Sequence, residues 1–130
     1  MTRLAGWILV ALALAGAGSC GSGSTGPVAG QLTVSLATPN SGNDGAILFT
    51  LTGPDAPTMA TTATGLRLFS QQLTLVSQFA ITGTLTNGAI LTISVPDVGK
   101  VKQYVATVRA VAAPDFSLRG TTGYTLTVAQ

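Results

Sequence analysis

From residue 31 to the carboxyl end, apolar and polar side chains alternate with a period of two. In 31–37, Leu32, Val34 and Leu36 fall on one face and Thr33 and Ser35 on the other; in 123–129, Tyr124, Leu126 and Val128 oppose Thr125 and Thr127. Successive side chains of a strand point to opposite faces, so both segments read as half-buried strands. Residues 46–52 are almost continuously apolar, the pattern of a strand covered on both sides. Further strands are predicted at 66–69, 73–76, 79–85, 90–95 and 101–112, where Thr, Val and Ile outweigh the helix-favouring Leu and Ala. Beyond Cys20, no stretch combines a helical period with helix caps.

Turn-forming residues separate these runs. Asn87-Gly88 lies between two alternating segments, and Asn-Gly supplies the positive φ angles of a two-residue turn, which predicts a hairpin joining 79–85 to 90–95. Residues 39–45 form a longer polar connection, and Pro96-Asp97 and Pro114-Asp115 mark two more turns. About eight short strands in a little over 100 residues predict an all-β fold, an antiparallel β-sandwich of Ig-like or jelly-roll type or a closely related barrel. Residues 53–65 have no clear period. They read either as a binding loop, with Asp55, Thr58, Met59, Thr61 and Thr62 as candidate contacts, or as a Thr-rich connection or short edge strand. Lys100, Lys102 and Arg109 share or flank one predicted strand, where lysine commonly guards a sheet edge against unwanted pairing.

The amino end follows a different pattern. Arg3 is followed by an apolar run from Leu4 to Gly18, then by Ser19-Cys20 and a Gly/Ser tract. A basic start and an apolar run of about 15 residues describe a secretory signal; a membrane span needs about 20. Ala17-Gly18-Ser19-Cys20 resembles the lipobox of bacterial lipoprotein precursors, although that family most often has Leu where Ala17 stands. The resemblance implies a signal peptide at 1–19, removed by cleavage before Cys20, and lipid attachment at Cys20. An ordinary secretory signal and an uncut signal anchor are the alternative readings. In the lipoprotein family, Asp after the cysteine marks inner-membrane retention; Gly21 stands here, which implies the outer membrane. Two or more acyl chains anchor durably, and residues 20–30 form a flexible tether of roughly 17 Å root-mean-square span.

Composition narrows the chemistry. The chain has no His and one Cys, which excludes disulfide frameworks within it, His/Cys zinc sites, and Ser-His-Asp or Cys-His catalysis. A net charge of +2 is too small a surplus for nucleic-acid binding. Neither a cofactor nor a metal is called for. The four aspartates, Asp44, Asp55, Asp97 and Asp115, all stand beside Pro or Gly, so each reads as a turn residue bonded to nearby backbone amides. Asn40, Gly42 and Asp44 are spaced like part of a calcium loop, but Gly42 and Leu51 stand where oxygen ligands belong. The sole Trp, Trp7, is in the signal, which leaves little aromatic surface for sugars.

Gly45 to Thr50 and Gly88 to Ile93 resemble strands of the cohesin-like sandwiches of secreted bacterial proteins over the central half of the domain, which implies fold class alone. The expectation is a membrane-anchored lipoprotein of the cell envelope, otherwise periplasmic or extracellular. Its 31–130 sandwich would be a non-enzymatic binding or structural module, meeting an envelope protein or polysaccharide. A carbohydrate- or calcium-binding module, or an Asp-dependent hydrolase, is the alternative.

Overall fold

The computed structural model describes residues 26–130; the expected signal peptide, Cys20 and the first part of the tether lie outside the described residues. The strands are β1 (Gly30–Ala37), β2 (Asp44–Thr52), β3 (Met59–Thr62), β4 (Arg67–Gln72), β5 (Val76–Leu85), β6 (Gly88–Val95), β7 (Val105–Ala112), β8 (Leu118–Arg119) and β9 (Thr125–Ala129). They form two antiparallel sheets, ordered β3-β6-β1-β9 and β4-β5-β2-β7-β8, and so a β-sandwich.

The period-two pattern dictates this arrangement. Leu32, Val34 and Leu36 of β1 turn inward together with Leu91, Ile93 and Val95 of β6. Ile47, Phe49 and Leu51 of β2 and Phe79 and Ile81 of β5 meet them from the other sheet. Phe49 and Phe79 are register partners whose rings are tilted at a 5.5 Å centroid separation. Each of these side chains contributes about 1.5–3 kcal/mol by leaving water. On the outer face of the four-stranded sheet, Thr61, Thr92 and Thr33 lie side by side across β3, β6 and β1.

Several expectations are corrected. β2 is only partly covered on its second face: it runs through the middle of its sheet and its outward Thr50 is buried, but its outward Leu48 is exposed. Residues 73–76 are mostly not strand. The Leu73 amide donates to the Val76 carbonyl at 2.8 Å, closing a tight β4–β5 turn whose apolar residues point into solvent. The predicted strand at 101–112 starts late, because Val98–Gln103 is a short 3₁₀ helix. Asp97 caps that helix by accepting from the Gly99 amide at 3.0 Å, the helix signal that sequence reading missed.

Asn87-Gly88 does not make a hairpin. β5 belongs to one sheet and β6 to the other, so the pair turns a corner between sheets. Gly88 has a φ of +120°, but Asn87 is not left-handed. Instead, Asn87 is tied to the β1–β2 connection: its Oδ1 accepts from the Thr38 amide at 2.7 Å and its amide donates to Ser41 Oγ at 2.9 Å.

Strand directions give the sandwich two ends. Gly30, Thr52, Met59, Gln72, Val76, Val95 and Val105 lie at the proximal end, where the chain arrives from Gly26. Ala37, Asp44, Leu85, Gly88 and Ala112 lie at the distal end.

Candidate functional site

β3 and β4 are edge strands of opposite sheets and face each other along one side of the sandwich. Residues 53–58 connect β2 to β3 across the proximal end, so the segment read as a possible loop divides into a connection and an edge strand. The Thr58 amide and hydroxyl both donate to the Ser94 carbonyl, at 2.9 and 3.3 Å, and start the β3–β6 pairing.

Between the edges lies a groove of about 290 Å³. Thr58, Met59 and Ala60 form one wall and Ser70, Gln71 and Gln72 the other, with Ser77 and Phe79 beneath. Ser77 Oγ donates to Gln72 Oε1 at 2.7 Å, and Gln72 Nε2 donates to the Leu73 carbonyl at 2.9 Å, which fixes the amide on the wall. A second hollow of about 220 Å³ opens on the outer side of β4, lined by Leu48, Phe69 and Ala80 and by the same Ser70 and Gln71. No Lys or Arg among the described residues lines either hollow.

Of the candidate contacts, Thr58 and Met59 wall the groove, and Asp55 lines an adjoining depression that shares Pro57, Gln72 and Ser77 with it. Thr61 and Thr62 do not line it: Thr61 belongs to the outer threonine row, and Thr62 Oγ1 donates to the Leu66 carbonyl at 3.2 Å. Sequence reading missed Ser70, Gln71, Gln72 and Ser77. Their polarity was visible, but which strand they would face was not.

Beneath the 53–58 connection lies Tyr104. Gly53 packs so closely on its ring that a Cβ there would overlap the ring carbons, which is why glycine is required. The Tyr104 hydroxyl is buried and makes no hydrogen bond among the described residues. Burial raises its pKa above the ordinary value of 10, and the nearby Asp55 carboxylate adds to the rise.

The aspartates have separate roles. Asp97 caps the 3₁₀ helix, and Asp115 accepts from the Ser117 amide and hydroxyl at 3.0 and 2.6 Å. The Ser117 hydroxyl, then its amide, holds Asp115 below the usual carboxylate range. Asp44 corrects its turn reading. It opens β2, is 1% exposed, and accepts from Arg119 Nη1 and the Tyr124 hydroxyl on Oδ1, both at 2.7 Å, and from Thr38 Oγ1 on Oδ2 at 2.6 Å. This buried distal network joins β2, β8 and the start of β9; both carboxylate oxygens are engaged by side-chain donors.

No family model, curated protein or solved structure matches the chain.

Proposed function

We propose that the protein is a bacterial lipoprotein held in the cell envelope by acylated Cys20, and that its sandwich is a non-enzymatic module that binds an extended segment of another envelope protein. The observation that supports this reading is the setting of β4. It is a six-residue edge strand, free of Pro and Lys, with a hollow on each of its two faces. An edge strand offers unpaired backbone donors and acceptors, and successive side chains of an added strand point to opposite faces. A visiting strand would therefore gain backbone hydrogen bonds from β4 while its alternate side chains enter the groove beside Met59 and the hollow beside Phe69. The amide and hydroxyl walls suit an uncharged segment.

Two experiments test the two halves of the proposal. A labelled fatty acid should enter the wild-type chain in a bacterial host and not Cys20→Ser; equal labelling of both, or of neither, refutes the anchor. A photo-crosslinker at position 71 of the full chain should capture a partner in intact envelopes. Its yield should fall with Met59→Glu and with Phe69→Glu and persist with Phe116→Glu, which lies in the 113–117 turn at the distal end. Indifference to the first two substitutions refutes strand addition at β4.

A further inference from the structure

We infer that the proximal end of the sandwich is a lipid-docking face, resting on the membrane that holds the anchor. The inference builds on the lipoprotein reading above.

Apolar side chains that serve no core purpose project from this end. In the β4–β5 turn, Leu75 is 81% exposed, and Leu73 beside it is also exposed. Val105, at the start of β7, is exposed and sits across Thr52 from Val76, the first residue after that turn. Val28 is exposed where the incoming chain is clamped to the 3₁₀ helix, its carbonyl accepting from the Val98 amide at 2.8 Å. A tight turn could have been built from polar residues at no cost to the core, so Leu73 and Leu75 call for an apolar environment outside the chain.

The position of the chain's origin decides which environment. Residues 1–25 join the domain at Gly26, at this same end. Only six peptide steps separate Cys20 from Gly26, a reach of roughly 20 Å when extended. An acyl chain at Cys20 would therefore hold this end, and not the distal one, within reach of the headgroups. Tethering makes the contact intramolecular, so a small apolar tip suffices to keep it docked.

The charges here balance. Lys100 and Lys102 are exposed on the 3₁₀ helix, while Asp97 caps it and Asp55 lies on the neighbouring connection. Docking on this face is consequently apolar in origin and insensitive to salt, unlike attachment through a polybasic patch.

The test uses the full chain in vesicles of phosphatidylethanolamine and phosphatidylglycerol, with a thiol-reactive fluorophore at Leu75→Cys or, at the other end, at Phe116→Cys. Both positions are exposed, so neither variant threatens folding. A quencher carried on the lipid acyl chains should quench position 75 several-fold more than position 116, and aqueous iodide should do the reverse. The contrast should survive about 1 M salt, where charges are screened within about 3 Å. Leu73→Asn should reduce quenching at position 75. Equal quenching at the two positions overturns the inference, as does a contrast abolished by salt. A signal at 75 that follows protein density and ignores the lipid quencher assigns the face to a second copy and also overturns it. Wild-type chain with no added cysteine reports separately on the anchor: uptake of the fluorophore at Cys20 refutes lipidation, whereas equal quenching at positions 75 and 116 in chains whose Cys20 takes up no label overturns the docking face alone.

Discussion

Removing the Asp44 carboxylate should destabilise the domain severely while leaving its proximal groove intact. The side chain is fully buried and receives three donors: Arg119, Tyr124 and Thr38. In Asp44→Ala, the Tyr124 and Thr38 hydroxyls each lose a bond to a charged acceptor, worth about 1.5–3 kcal/mol. Arg119 is 24% exposed on its side chain and recovers water, so its share is smaller. Tyr124 keeps its bond from Asn40 Nδ2 and Thr38 keeps its bond from the Asn40 amide, which limits the damage. The expected loss is about 3–4 kcal/mol, within the range for breaking a buried ion pair. Against a total stability of about 5–15 kcal/mol, that is a large fraction. With a urea slope of about 1.5 kcal/mol/M, the midpoint followed by circular dichroism at pH 7 should fall by about 2 M. Asp44→Asn keeps one oxygen and should lose about 2 kcal/mol. Asp44→Ala combined with Arg119→Met should cost less than the two singles together. A loss below about 1 kcal/mol in Asp44→Ala, with an unchanged slope, would refute the view that this network pins the distal end.

Tyr104→Phe removes a buried hydroxyl that has no partner among the described residues, so at neutral pH it should be neutral or stabilise by about 1 kcal/mol in a urea titration. Because the folded pKa of Tyr104 is raised, its contribution is fully present below the unfolded value of about 10 and is lost as pH climbs through the folded value; Tyr104→Phe should flatten that alkaline decline. Gly53→Ala forces a methyl group onto the Tyr104 ring and should cost about 1–3 kcal/mol by thermal melt, less in a Tyr104→Leu background. Asn87→Ala leaves the partly buried Thr38 amide without its acceptor and should cost about 1–2 kcal/mol, whereas Asn87→Asp, which keeps the oxygen, should melt close to wild type.

Where one face of a strand is buried and the other wet, the sequence pattern suffices. β1 and β9 were legible for that reason, and with them the sandwich class. Hydrophobicity misled where apolar residues are exposed: Leu73 and Leu75 resemble a strand and form a turn. β3 is too short and too rich in small polar residues for its alternation to stand out. Local turn chemistry identified Asn87-Gly88 as a bend but could not distinguish a hairpin from a change of sheet, because that depends on which strands β5 and β6 find. The same limit hid the role of Asp44. Its neighbour Gly45 suggests a turn, whereas Arg119 and Tyr124, which engage it, lie 75 and 80 residues away. At the candidate site, the unpatterned 53–65 segment pointed to the right side of the molecule, but the opposing wall comes from β4 and β5, whose packing against β3 is a tertiary fact.

The corner at Asn87-Gly88 also determines when the domain can form. Because the chain changes sheets there, β1 is flanked by β6 and by β9, the last strand made, and β2 waits for β5 and β7. Neither sheet can close from the early half of the chain alone, and such non-local pairing places folding in the millisecond-to-second range. A chain threaded amino end first through a membrane would thus emerge with both edges of β1 unpaired: one waits for β6 at 88–95 and the other for β9, so the four-stranded sheet is complete only once 125–129 have passed.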